Sequence, residues 1–405
     1  MPDSPGSDNR CFFERRKAMK KIEVALVSGD GAAPEMMAVA CDVVQEAARK
    51  DGIEIIFVDT PMGWVTYQST GQTLPPESLE RATALKLLFF GGVGDPEMDK
   101  TVGKQHPEQR PEARCLLTIR KEWELLLNFR PMIFHPELRE FCNLAPRNLP
   151  EGTLQWHFVR YLLEDSYFGT RDLYESVLNP DAIGLHRTGT VTGDEEIVSE
   201  LAYYSRRRLV DYFRAVFEYA RKLGLPVIPV DKQNIMSRYD FWRAVMAQAQ
   251  KDYGEGVRVH EPLFVDAANA IMIQNPQALH GVIVCGNEHG DILSDGGAAA
   301  LGSMGLMCSS AVNPNTGAAM FESGAGTAPT LAGQDVANPL GRILTGAMLL
   351  DHIGAVKGAE AIRQAVRQVI QAGFRTRDIA SGDTPANRVI GTEETGKRVI
   401  SFLDT

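Results

Sequence analysis

The stretch IEVALVSGDGAAPEMMAVACDVVQEAARK, Ile22 to Lys50, decides the fold class. Its first half is a short apolar run that stops at Gly29-Asp30-Gly31, which predicts a strand entering a glycine turn. Its second half repeats apolar residues at intervals of three and four, which predicts an amphipathic helix. The same order recurs downstream, with GIEIIFVD as a strand, PPESLERATA as a helix and LKLLFFGGVGD as a strand running into another glycine turn. Alternation of this kind predicts an α/β fold with a mostly parallel sheet and helices on its faces. A Rossmann dinucleotide site is not expected, although Asp59 stands downstream of the first turn. The third glycine of G-x-G-x-x-G would fall at Pro34, so the close helix approach that motif needs is missing.

At 405 residues the chain is long enough for two α/β domains. With 44% hydrophobic and 23% charged residues it reads as an ordinary globular protein. A formal net charge of -10 argues against a nucleic-acid partner, since phosphate backbones are met by clustered Lys and Arg. Small anionic ligands stay open, because a few arginines make a local positive pocket. The six cysteines are scattered without a C-x-x-C pair, so neither a disulfide framework nor a zinc site is expected, and a reducing cytoplasm fits. No apolar run approaches a membrane span, so no membrane partner is expected. The apolar run after Arg15-Arg16 is too short for a secretion signal. Residues 1–20 read as a polar, unpatterned extension, with the folded part starting near Met19.

The middle of the chain adds strands in LQWHFVRY, LPVIPVD and HGVIVCG, and a long helical pattern in EEIVSELAYYSRRRLVDYFRAVFEYARKLG. After Gly302 the composition turns to Gly, Ala and Ser before NPLGRILTGAMLLDHIG runs into further helix. No internal repeat or low-complexity tract is visible.

GVIVCGNEHGDILSDGGAA, Gly281 to Ala299, sets Asp291 and Asp295 four residues apart after a strand and a turn. On a helix both carboxylates share one face, where they repel unless something positive lies between them; a divalent cation is the obvious candidate. Arg120, Arg130 and Arg160 sit on or beside predicted elements. Singly, each is more often a surface or ion-paired arginine. Together with the aspartates they suggest a site for a polyanionic acid, because guanidinium forks match carboxylates. Tyr167 reads either as a half-buried aromatic or as an acid, and Lys232, ending an apolar strand, either as a solvated strand end or as a base. Periodicity does not choose between these readings.

GDGAAPE, RPEARCLLTIRKEWELLLNFRP, VRYLLEDSYFG, VDKQN, GNEHGDILSD and GTAPTLAGQDVANP follow one another in the order and approximate spacing of the isocitrate/3-isopropylmalate dehydrogenases, the metal-dependent β-decarboxylating dehydrogenases. The chain resembles that family from Ile22 to its C-terminal region. The resemblance implies an isopropylmalate-dehydrogenase-like fold. Residues 21–125 and 302–405 would form a large cofactor-binding domain, and 126–301 a small domain with the dimer interface. It also implies a homodimer whose active sites each borrow residues from the partner. Arg120, Arg130 and Arg160 match the arginines that hold substrate carboxylates, and Tyr167 and Lys232 match the catalytic pair. Asp266 (in LFVDAANA), Asp291 and Asp295 match the metal ligands, and Asn234, Glu322, Gly326, Thr327, Thr330 and Asn338 fall at cofactor-binding positions. Oxygen-only ligands suit Mg²⁺ or Mn²⁺. The expected reaction is oxidation of a 2-hydroxy-3-carboxy acid by a nicotinamide cofactor, followed by loss of CO₂.

Two places depart from the family pattern. The cofactor loop usually reads H-G-[ST]-A-P followed by Asp in NAD enzymes or Lys in NADP enzymes; here it is Ala325-Gly326-Thr327-Ala328-Pro329 followed by Thr330. NAD is expected because the loop holds no basic residue, with Arg375 and Arg377 as the candidates for meeting the 2′-phosphate of NADP. The loop before Arg120 carries Leu116 and Leu117, which favours the branched alkyl group of 3-isopropylmalate. Its spacing from Glu112 to Arg120 is one residue longer than usual. If that insertion turns Arg114 inward, an acidic substituent of the isocitrate or homoisocitrate type is the alternative. A non-catalytic regulatory subunit is a third reading, disfavoured because Tyr167, Lys232 and the three aspartates are all present.

Overall fold

The computed structural model describes residues 19–168, 201–302, 304–324 and 326–404. Its strands are β1 (Lys20–Val27), β2 (Ile53–Asp59), β3 (Leu87–Phe90), β4 (Leu127–Ile133), β5 (Gln155–Tyr161), β6 (Val227–Asp231), β7 (Leu263–Phe264), β8 (Gly281–Cys285), β9 (Ser310–Val312) and β10 (Ala319–Glu322). They form one ten-stranded sheet in the order β2-β1-β3-β10-β9-β4-β5-β8-β6-β7. Both flanks are parallel. The direction reverses only in the middle, where β10–β9, β9–β4 and β4–β5 pair antiparallel. The expected α/β class and mostly parallel sheet are what the chain forms. The central strands β9 and β10 lie in the Gly- and Ala-rich stretch that gave no strand signal.

The long helices are α1 (Ala33–Ala48), α2 (Pro76–Leu85), α3 (Arg206–Leu223), α4 (Arg238–Tyr253), α5 (Val265–Gln274), α6 (Asn287–Ala300), α7 (Leu340–His352), α8 (Val356–Gln371) and α9 (Thr392–Ser401). Helices α1, α7, α8 and α9 bury their apolar stripes against β1 and β2, around Val44, Ile343, Ile362 and Val399. At the other flank α3 and α4 cover one face of β5 and β8 through Phe213, Val216 and Trp242. The opposite face packs α5 and α6 through Met272 and Leu293. The strands of a parallel sheet, buried on both faces, read as continuous apolar runs rather than as alternation, as Val282-Ile283-Val284 does.

Helix α3 begins later than the periodicity of its sequence predicts. Residues 201–205 are not helical, because the backbone N–H of Ser205 donates to Glu164 Oε2 at 2.7 Å and the Tyr204 hydroxyl donates to Asp165 Oδ2 at 2.8 Å. These tertiary bonds override the propensity of Ala202-Tyr203-Tyr204. The earlier part of that pattern, residues 195–200, lies outside the described residues, as do residues 1–18 of the expected extension.

The Gly29-Asp30-Gly31 turn is structural. Gly29 has φ +87°, and a Cβ there would lie 2.0 Å from the Gly92 carbonyl oxygen, so only glycine lets the two turns meet. The buried Asp30 carboxylate accepts from the backbone N–H groups of Trp64 (3.0 Å), Val65 (2.9 Å) and Gly94 (2.8 Å).

Candidate active site

The carboxyl ends of β5 and β8 lie side by side, with Arg160 in register with Cys285. In open α/β sheets this edge is where ligands bind. The Arg160 Nε donates to Asn287 Oδ1 at 2.8 Å, at the first position of α6. The buried Asn287 side chain also donates to the carbonyls of Leu162 (2.7 Å) and Glu164 (3.2 Å), which ties the start of α6 to the loop after β5. A Cβ at Gly290 would sit 2.8 Å from Arg160 Cβ and Cγ, so the absent side chain lets the arginine lie along the helix.

One turn into α6, Asp291 receives Arg160 Nη1 and, at 3.0 Å, Arg130 Nη2. The Tyr167 hydroxyl donates to the other Asp291 oxygen at 3.1 Å, with the Arg160 guanidinium 5.2 Å from the tyrosine ring centre. A turn later Asp295 accepts from Arg130 Nη1 at 2.8 Å, beside Ser294 Oγ at 2.8 Å. The positive group between the two aspartates is therefore Arg130, itself aimed by Asn128 Oδ1 at 2.9 Å. Asn128 and Arg130 share one face of β4 by the two-residue strand period. Neither Asn128, Asn287 nor Ser294 stood out in the sequence; the period-two spacing to Arg130 was the signal for the first.

Arg120 comes from a different element. Residues Glu112–Leu117 form a π-helical turn, wider than an α-helical one, leading into the short helix Thr118–Glu122. Arg120 is 7% exposed; its Nη2 faces Glu322 Oε2, at the end of β10, across 3.5 Å, and its Nε has no partner among the described residues. Burial lowers the pKa of Arg120 and raises that of Glu322. Burial, with Arg130 adding repulsion, pushes Arg160 down to about 9. Burial also raises Asp295 against the pull of Arg130. Leu116 and Leu117 are both half-buried, Leu116 packing against the apolar cluster of Cys115, Ile119 and Trp123, and Arg114 is exposed on the same turn.

Lys232 and Asp266 stand apart from this cluster. Lys232, one residue beyond β6, places Nζ 2.6 Å from Asp266 Oδ1 in the first turn of α5, and that bond lowers the Asp266 pKa. Among the described residues no three His, Cys, Asp or Glu side chains come together as a metal site. Asp291 and Asp295 fit a hard cation by chemistry, as oxygen donors one helical turn apart, but they need a further oxygen ligand from elsewhere.

The cofactor-loop residues gather at another cleft of about 510 Å³, lined by Gly326, Ala328, Leu331, Asn338, Arg377 and Asp378 among others. Thr327 and Thr330 are not in its lining: the Thr327 carbonyl accepts from Ala32 N at 2.8 Å, and Thr330 is exposed. Asn338 donates to Asp378 at 3.0 Å. Asn234 is not in this wall; it is exposed in the turn beside Lys232. Arg375 is removed as a candidate for a 2′-phosphate, because it is buried and donates to the carbonyls of Ile370, Phe374 and Glu137. Ala325 lies outside the described residues.

Buried arginines and helix-borne carboxylates at the carboxyl ends of the strands make a site for an anionic ligand on an α/β fold, and the comparisons with known proteins give its class, the decarboxylating dehydrogenases. The chain belongs to the isocitrate/isopropylmalate dehydrogenase family, whose model matches residues 23–399. It is 32% identical over 387 residues to the 3-isopropylmalate dehydrogenase of Haemophilus influenzae, covering 95% of this chain and 100% of that one. It is 35% identical to that of Oleidesulfovibrio alaskensis over 366 residues, 89% of this chain and 94% of the relative. Among solved structures it is similar to the isocitrate dehydrogenase of Methylococcus capsulatus, with a TM-score of 0.74, 27% identity and coverage of 95% and 100% of the two chains. The beta-decarboxylating dehydrogenase of Thermococcus kodakarensis gives a TM-score of 0.71 at 27% identity, covering 95% and 96%. No helix among the described residues is long and apolar enough to cross a membrane.

Proposed function

We propose that the protein oxidatively decarboxylates a 2-hydroxy-3-carboxy acid close to 3-isopropylmalate, using NAD and Mg²⁺ or Mn²⁺, as a homodimer of the cytoplasm. The observation that carries this reading is Arg120. A buried guanidinium with an unpartnered Nε is costly, and a substrate carboxylate relieves it. Arg130 and Arg160 would release part of their grip on Asp291 and Asp295 to meet the remaining carboxylate. Asp291 and Asp295 would hold the cation, completed by Asp266 from a second copy. Lys232, held by Asp266, would arrive with it, so the base and Tyr167 of one site come from two chains. This reading keeps the division into a unit of 21–125 with 302–405 and a unit of 126–301, with the reaction at their join.

In the reaction Lys232 removes the 2-hydroxyl proton, directly or through water, as hydride leaves C2. When bound, the cation acidifies that hydroxyl and steadies the negative charge left by CO₂, while the nicotinamide accepts the hydride. Tyr167, whose pKa burial raises, stays protonated at neutral pH and delivers its proton to the enolate carbon. For the cofactor, Asp378 on the cleft wall disfavours a 2′-phosphate, whereas Arg377 beside it is the one lining residue that favours NADP.

Leu117, half-buried and outside the apolar cluster against which Leu116 packs, is the side chain best placed to meet an alkyl substituent. Turnover with Mn²⁺ across a panel of 2-hydroxy-3-carboxy acids tests the substrate. The kcat/KM for isopropylmalate should exceed that for isocitrate by roughly tenfold or more. A preference for an acidic substituent that disappears in Arg114→Ala would establish the alternative.

A further inference from the structure

Arg342, in the first turn of α7, is 1% exposed and forms no ion pair among the described residues. Its Nη2 donates to the carbonyl of Gly91 at 2.5 Å and to that of Gly326 at 3.4 Å, and its Nη1 reaches Met36 Sδ at 3.5 Å. Its Nε has no partner. Burial pushes its pKa down to about 10, with Glu322 opposing, so it is charged at neutral pH. Met36 and Gly326 both line the 510 Å³ cleft. A core cation with no carboxylate at ion-pair distance is costly, and ordinary packing does not explain it.

The bonds it makes have a directional result. In a trans peptide the C=O and N–H point to opposite sides. Pinning the carbonyls of Gly91 and Gly326 to the guanidinium therefore turns the N–H groups of Gly92 and Thr327 away from it. Neither N–H donates to any group among the described residues. The two residues are neighbours: a Cβ built on Gly92 would have Thr327 Cγ2 at 3.9 Å and Arg342 Nη2 at 3.6 Å, with open space otherwise. We propose that Arg342 is a positioning residue for a phosphate subsite, in which the N–H groups of Gly92 and Thr327 receive the pyrophosphate of the dinucleotide and the buried guanidinium supplies the counter-charge from beneath. This rests on the dinucleotide reading of the cleft.

Titration calorimetry of the whole protein with NAD, adenosine and inorganic pyrophosphate tests it. Arg342→Met should bind NAD roughly tenfold or more weakly, while adenosine, which has no phosphate, changes by less than about twofold. Arg342→Lys keeps the charge and should recover part of the NAD affinity. Pyrophosphate should compete with NAD in the unsubstituted protein, a result that needs no variant to fold. Unchanged NAD binding in Arg342→Met, equal losses of NAD and adenosine in either variant, or absence of pyrophosphate competition overturns the proposal. If the unsubstituted protein binds no nucleotide, the dinucleotide reading fails; Arg342-dependent binding of pyrophosphate alone would then still show the subsite.

Discussion

Asp291 accepts from two guanidiniums and a phenol at once, so it is the residue through which the site is most easily tested. Asp291→Asn keeps the shape and removes one negative charge. Turnover at ordinary Mn²⁺ concentrations should fall by roughly a hundredfold or more, with the far-ultraviolet circular dichroism unchanged. Retained activity would count against a cation at this place. In the proposed reaction Lys232 and Tyr167 divide the proton transfers between them. Lys232→Met should stop hydride transfer, read as loss of reduced cofactor. Tyr167→Phe should slow the later protonation and leave reduction of an added 2-oxo acid comparatively intact. Equal loss of each partial reaction in both variants would contradict the division. The aspartate pair announced itself in the sequence through its spacing and Arg160 through its motif. Arg130 was equally legible through its motif as an arginine for a substrate carboxylate, but its place between the aspartates was not, because it arrives from a strand more than 150 residues away in the chain.

At the scale of elements, helix α6 is held against β5 by the absence of one side chain. Gly290→Ala places a methyl 2.8 Å from Arg160, and the arginine must shift. The expected result is a rise in KM with little loss of thermal stability, measured by steady-state kinetics beside a melting curve. Helix α3 meets β5 through His157, whose ring nitrogens lie 2.8 Å from the Tyr219 hydroxyl and 3.0 Å from Gln155 Oε1. Burial pushes this histidine down to about 4, with His280 and Arg363 adding repulsion. The unfolded chain takes up a proton near pH 6.5 and the folded one only near pH 4, so stability falls as pH drops through that window. The loss should be on the order of 2 kcal/mol between pH 7 and pH 5. Urea midpoints at the two pH values should show it, and His157→Gln should flatten the difference. The outer strands and their helices could be read from periodicity, since each segment is patterned by its own burial. Strands β9 and β10 could not, because Ser310-Ala311-Val312 and Ala319-Met320-Phe321-Glu322 are too short to carry a period, and only their neighbours make them strands.

The whole molecule leaves Lys232 and Asp266 away from the arginine cluster, which gives the proposed dimer a direct test. In a shared site, co-refolded Lys232→Met and Tyr167→Phe chains form mixed dimers in which one site carries both changes and the other none. Random assembly should restore activity to about a quarter of the unsubstituted level, from two nearly inactive parents. No recovery would place both groups in one chain or leave the protein monomeric. The order of the sheet has a consequence for how the chain is made. Residues 310–322 supply the two strands that join β3 to β4, so a growing chain emerging from the ribosome has both of those edges open until its last quarter is synthesised. The two flanks can form early, but neither can be closed, and bare edges are templates for wrong pairing. Chains truncated before Ser310 should therefore associate into insoluble material, whereas removal of α9 alone leaves every strand paired.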